Sequence, residues 1–147
     1  MSAYPTRILA ATDGGPQAQL VARSAADFTA KTGSELHVVH VGFVPAMYHP
    51  ELQGYRSRFE EIQQETQQAL DEEVQRLEAA GAEVTRAHLR MGRPDVEILE
   101  LAEELDAGLI IVGSRGHGGL RRALMGSVSD SVVRHAHCPV LVVRESA

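Results

Sequence analysis

Short apolar runs alternate along this chain with longer amphipathic stretches. ILAAT (8–12), LHVVHV (36–41), LIIV (109–112) and VLVV (140–143) are of strand length and largely apolar, the signature of strands buried on both faces. EVTRAHL (83–89) alternates apolar and polar positions, which predicts a strand with one wet face. Helical spacing fills the intervals. Pro16 suits a first helical turn, and Ala18, Val21, Ala22, Ala25 and Phe28 follow as one stripe until Gly33. Phe59, Ile62, Thr66, Ala69, Leu70, Val74 and Leu77 form a second stripe, opposite a face rich in Glu and Gln, and Gly81 ends it. Pro94 opens a third helix with Val96, Leu99, Ala102 and Leu105 inward. A fourth runs from Ser127 to about Ala136. Residues 42–54 hold two prolines, two glycines and no period, so they read as a loop.

Strands separated by helices call for parallel pairing through right-handed crossovers. The expected architecture is therefore α/β: one Rossmann-like domain over residues 1–147, with a doubly wound parallel sheet between two helical layers. In such sheets a ligand sits outside the carboxyl ends of the strands, where the strand order reverses. The loops on that side begin at Asp13, Gly42, Arg90 and Gly113.

Composition narrows the function. Apolar content of 44% with 23% charged residues describes a globular chain and not a disordered one. The formal net charge of −6 argues against a nucleic-acid binder, whose affinity comes mainly from neutralising phosphates. The charge is uneven: residues 51–80 carry eight acids and three arginines, whereas 113–147 carry five arginines and two acids. That basic end suits a small anion. The single cysteine, Cys138, cannot form an internal disulfide, which fits a reducing compartment and a cytoplasmic location. No apolar run approaches the ~18 residues of a membrane span, so no membrane partner is expected.

The positive charge coincides with GSRGHGGLRRALMGS (113–127), which follows an apolar strand and feeds a helix. Gly113, Gly116 and Gly126 permit positive φ and close backbone approach to a ligand. Ser127 is a candidate N-cap, with Asp130 completing a capping-box pattern. Free N–H groups and the helix dipole make such a start an anion site. A Walker A loop is excluded, because the chain's only lysine is Lys31. The dinucleotide pattern G-x-G-x-x-G is excluded too, because Arg121 stands where its third glycine belongs.

What fits is Gly113-x2-Gly116-x9-Gly126-Ser127, which resembles the ATP-binding signature of the universal stress protein family. The segment 113–143, the N-terminal ILAATDGG and VVHV in the second strand are also similar to that family. The resemblance implies a five-stranded parallel sheet of order 3-2-1-4-5, in the adenine nucleotide alpha hydrolase-like group. It implies an ATP-binding stress-response regulator that holds ATP (or ADP or AMP), with Mg or Mn. By position, Thr12 and Asp13 close the first strand, and Asp13 meets the ribose and helps hold the metal. Val41 reads the adenine edge, and Val112 and Gly113 lie against the nucleoside. Gly116, Gly126, Ser127 and Val128 cradle the phosphates, with Arg115 adding charge. Gly15 departs from the serine common at that place.

Alternatives remain at several positions. Asp13 is equally a turn or helix-cap residue, and Arg115, Arg121, Arg122 and His117 are ordinary exposed loop residues on the other reading. Met47, Tyr48 and Tyr55 either cover the nucleotide or pack on the surface. His135, His137 and Cys138 offer metal-ligand types without a further ligand cluster; Cys138 reads as a small apolar filler. Asp13 is the one acid in place for catalysis and has no evident partner, so hydrolysis is expected to be slow at most. A nucleotide-free dimeric module is the alternative, and an ATP-cleaving adenylating enzyme is disfavoured because ATDGGPQA lacks that group's serine- and aspartate-bearing loop. The apolar terminal strand is expected at the sheet edge, pairing two copies into a homodimer through residues 139–143.

Overall fold

The computed structural model describes residues 5–44, 54–114 and 126–144. In chain order the elements are β1 (Arg7–Ala11), α1 (Ala18–Thr32), β2 (Glu35–Phe43), α2 (Tyr55–Ala79), β3 (Arg86–Gly92), α3 (Pro94–Glu104), β4 (Leu109–Gly113), α4 (Ser127–His135) and β5 (Val140–Val143). The five strands form one parallel sheet in the order β3-β2-β1-β4-β5, the order expected. The order reverses beside β1, so the carboxyl ends of β1 and β4 flank the switch point.

Strand periodicity divides the core in two. Ile8, Ala10, Leu36 and Val38 face α1 and α2, where Val21, Ala22, Ala25, Leu70 and Leu77 cover them. Leu9, Ala11, Val39, Ile110 and Val112 face α3 and α4, meeting Ile98, Leu101, Ala102 and Val132. With no tryptophan and few aromatics, close packing rests on small aliphatic residues.

Several expected boundaries move. β3 begins three residues later than its alternating pattern suggests and ends at Gly92, so the loop expected at Arg90 starts beyond Gly92. The reason is its partner: β2 runs on to Phe43, and β3 pairs with it from His37↔Arg86 to Phe43↔Gly92. Gly42 and Phe43, expected in a loop, are thus strand. Thr12 lies just past the end of β1. Phe28, placed inward by spacing, is 38% exposed, and Ala26 is buried in the α1 stripe instead. On α3, Ala102 is fully buried as its spacing predicts, but it is joined by Leu101 and Ile98, one position from the expected stripe, while Val96, Leu99 and Leu105 are half-buried. On α2, Glu73 is buried on the same face as Thr66, Leu70 and Leu77, a charged residue inside the stripe drawn from apolar positions. Among the described residues, no helix is long and apolar enough to cross a membrane.

Candidate functional site

A cleft of about 280 Å³ opens at the carboxyl edge of the sheet, where β1 and β4 diverge. Eight of the ten candidate residues line it: Thr12, Asp13, Val41, Val112, Gly113, Gly126, Ser127 and Val128. Arg115 and Gly116 lie outside the described residues, as do Met47, Tyr48, His117, Arg121 and Arg122. Tyr55 is not part of the cleft lining; its ring stacks on Phe59 with centroids 6.1 Å apart.

One side of the cleft is apolar. Val39 and Val41 from β2, Val112 from β4, and Pro94 and Ile98 from α3 form a slot for a flat, weakly polar group. Polar groups lie on the other side. After β1 the chain turns sharply, with Gly14 at φ +78°. Thr12 Oγ1 accepts the Gly14 N–H at 3.2 Å, and Asp13 Oδ1 accepts the Gly15 N–H at 2.9 Å. Asp13 is therefore the acceptor of an Asx turn, and it lies exposed at the rim. Pro16 occupies the turn that opens α1, closed by the Ala18 N–H donating to the Gly15 carbonyl at 3.1 Å.

Two helices start at this cleft. Gln17 and Ala18 bring the N-terminus of α1 to it, and residues 126–129 bring that of α4. Neither start has a side-chain cap. First-turn N–H groups without intrahelical partners, reinforced by two helix dipoles, make this end attractive to an anion.

The start of α4 departs from expectation. Gly126 is the N-cap, and Ser127 is the first helical residue. The capping box does not form: Asp130 accepts from Arg134 Nε at 2.9 Å instead. Gly126 has φ −66° and ψ 163°, so its backbone is extended and not left-handed, and Gly113 ends β4 without positive φ. Both glycines line the cleft. Tertiary bonds set the turn: the Gly126 N–H donates to the Ser114 carbonyl, and so does Ser129 Oγ, at 3.1 Å. Gln17 Nε2 donates to Ser114 Oγ at 2.8 Å. Gln17 and Ser129 line the cleft without having been singled out by motif, because a polar residue at a helix start reads as a solvated one. Pro94 and Ile98 follow only from knowing that α3 lies beside β2.

Behind the Asp13 loop stands His40, buried near the end of β2. It hydrogen-bonds the backbone of Thr12, and Nδ1 has no partner among the described atoms. Burial pushes its pKa below the ordinary value, while the Asp13 charge opposes that shift. His40 is thus a neutral support for the loop. At the far end of the chain, His135 ends α4 with Nδ1 2.9 Å from the Ser131 carbonyl. Cys138 is half-buried against the α3–α4 side of the core. Among the described residues no group of three or more His, Cys, Asp or Glu side chains is placed to hold a metal ion.

The topology and the cleft define an α/β protein with a small-molecule site at its switch point, apolar on one side and lined by helix starts on the other. The Universal stress protein family profile matches residues 5–144. A universal stress protein of Methanocaldococcus jannaschii is 34% identical over 140 residues, covering 95% of this chain and 82% of that protein. This chain belongs to the universal stress protein family. A universal stress protein structure in complex with cAMP aligns with a TM-score of 0.68 at 27% identity, covering 99% of this chain and 100% of that one. The universal stress protein from Archaeoglobus fulgidus in complex with dAMP aligns at 0.66 and 27% identity, covering 93% of this chain and 96% of that one.

Proposed function

We propose that this chain is a cytoplasmic stress-response regulator that binds ATP, with its base in the apolar slot and its phosphates at the start of α4. One observation carries the reading: the Asp13 turn, the end of β2 and the Gly126–Val128 segment converge on a single cleft with two helix starts that have no side-chain cap. Solved relatives that hold cAMP and dAMP lend support. The cleft volume of about 280 Å³ lies near the lower end of the ~300–1,000 Å³ typical of small-molecule sites.

In this reading Val41 presents backbone groups to the adenine edge, and Asp13 meets the ribose. The phosphates accept from the Ser127 and Val128 amides and from Ser127 Oγ, with Gly126 leaving room beside them and Arg115 and Gly116 completing the cradle. A divalent ion, Mg or Mn, fits Asp13, since such ions commonly take one carboxylate together with the nucleotide's own phosphate oxygens. Asp13 is the only acidic or basic side chain among the described lining residues. Among the described lining residues no second group stands beside Asp13 to orient an attacking water, and the reading is of binding with slow hydrolysis at most.

Calorimetric titration with ATP–Mg tests the reading. The wild type is expected to bind and the Gly113→Ala/Gly126→Ala double variant to lose affinity, because both glycines line the cleft. Equal binding by both proteins, or none by either, refutes it. The edge position of β5 supports a homodimer paired through residues 139–143. Light scattering is expected to give a dimer that Val142→Asp dissociates; a wild-type monomer at micromolar concentration refutes that interface.

A further inference from the structure

Three polar side chains are almost wholly buried beneath the cleft: Gln17 at 2% exposure, Ser114 at 5% and Ser129 at 3%. Burying such groups is unfavourable unless each finds a partner. Their bonds join elements distant in sequence. Gln17 Nε2 donates to Ser114 Oγ at 2.8 Å across 97 residues, tying the start of α1 to the residue after β4. Ser129 Oγ lies 3.1 Å from the Ser114 carbonyl and 3.1 Å from the Gly126 carbonyl, so one hydroxyl bridges the point where the chain leaves β4 and the point where it enters α4. The Gly126 carbonyl already accepts the Asp130 N–H at 2.9 Å, so helix formation does not need the serine. An apolar pair of similar volume would fill this space; hydrogen bonds also set direction and distance.

We propose that Gln17 and Ser129 are positioning residues for the phosphate end of the cleft. They hold the Ser127 amide, at the start of α4, at a set distance from the Asp13 turn, so that one anion meets both helix starts. The inference rests on the nucleotide reading above. It separates the two ends of the ligand: the slot formed by Val39, Val41, Ile98 and Val112 belongs to β2, β4 and α3, and the clamp does not pass through it. Loosening the clamp therefore weakens what the phosphates contribute and spares what the base contributes.

The test uses the full chain with Ser129→Ala, Gln17→Leu and Ser129→Thr, titrated with ATP–Mg and with adenosine. Ser129→Ala leaves both carbonyls with other donors, so the fold is expected to survive, and the ligand-free melting midpoint of each variant checks this. ATP affinity is expected to fall about tenfold in Ser129→Ala and in Gln17→Leu, the equivalent of one well-placed hydrogen bond, and to recover in Ser129→Thr. Adenosine affinity is expected to stay with the wild type. Wild-type ATP affinity in both variants, a loss that threonine does not restore, or a parallel loss for adenosine overturns the inference. A wild type that takes up neither ligand fails the nucleotide reading itself, and the clamp's role falls with it.

Discussion

Replacing Gly42 by alanine tests how closely α2 is seated on the sheet. Gly42 is buried, pairs with Met91 of β3 and lies beneath the first half of α2. A Cβ placed there falls on Thr66 Oγ1, 2.8 Å from Met91 Sδ and 3.1 Å from Ile62 Cγ2. Met91 is flexible and can swing aside. Thr66 cannot do so freely: it is β-branched, 4% exposed, and its hydroxyl donates to the Ile62 carbonyl at 2.6 Å. Either α2 lifts or Thr66 rotates and gives up its bond. Overpacking of this kind costs about 1–3 kcal/mol, and the lost hydrogen bond places Gly42→Ala in the upper half of that range. For a chain of 147 residues, a cost of about 2–3 kcal/mol lowers the melting midpoint by about 4–12 °C. Thermal and urea denaturation measure it. A double-mutant cycle names the cause: in a Thr66→Ala background, from which the nearest atom is gone, Gly42→Ala costs about 1 kcal/mol less. An unchanged midpoint, or strictly additive costs in the cycle, refutes this account of the packing.

Three further outcomes are expected. The His88 pKa is pushed down to about 4, chiefly by burial and then by the neighbouring charges of His37, Arg86 and Arg90. Below the unfolded value near 6.5 the unfolded chain takes up a proton that the folded chain refuses, so stability falls from pH 6.5 to pH 4. The full shift corresponds to about 3 kcal/mol, and partial exposure reduces it to about 1–2 kcal/mol; urea midpoints of His88→Gln across that window are expected to flatten. Glu73 is 1% exposed and pairs with Arg76, and burial raises its pKa against that pairing. Arg76→Ala is expected to cost about 3 kcal/mol at pH 8 and progressively less as the pH is lowered, because the folded chain takes up the Glu73 proton ahead of the unfolded one; a cost independent of pH contradicts this. Gly14 has φ +78° and open space around its Cα, so Gly14→Ala adds backbone strain of about 1–2 kcal/mol without a clash, and Gly14→Asn, checked by the same denaturation curves, adds less.

The legible part of the fold was the local part. Apolar runs and helical stripes placed every strand and helix in order, because alternation and 3.6-residue spacing are properties of the chain itself. They were least accurate where a neighbour decides. β3 alone gives no sign that it must follow β2 to Phe43, and spacing alone cannot distinguish Leu99 from Ile98 as the residue that faces the sheet. Phe28 fits its stripe but lies at the rim. Glu73 stands at helical spacing on the same face of α2 as Thr66, Leu70 and Leu77, and its charge hid it from a stripe drawn through apolar residues. At the cleft, the glycine pattern and the Asp-Gly turn pointed to two loops, and the family resemblance they carry added Val41 and the nucleoside positions; eight of the residues so chosen line one space, whereas Gln17 and Ser129 carry no motif.

Taken by itself, the amino-acid sequence determined the element order, the parallel connectivity it compels and the two loops that bear the candidate chemistry. These follow from side-chain period, turn residues and glycine spacing, all of which act over a few residues. The tertiary structure alone decided that Gly126, and not Ser127, caps α4, and that Gln17, Ser114 and Ser129 form one buried clamp. Those outcomes depend on hydrogen bonds between residues 15 and 97 positions apart, whose formation requires the sheet to bring β1, β4 and α4 together first.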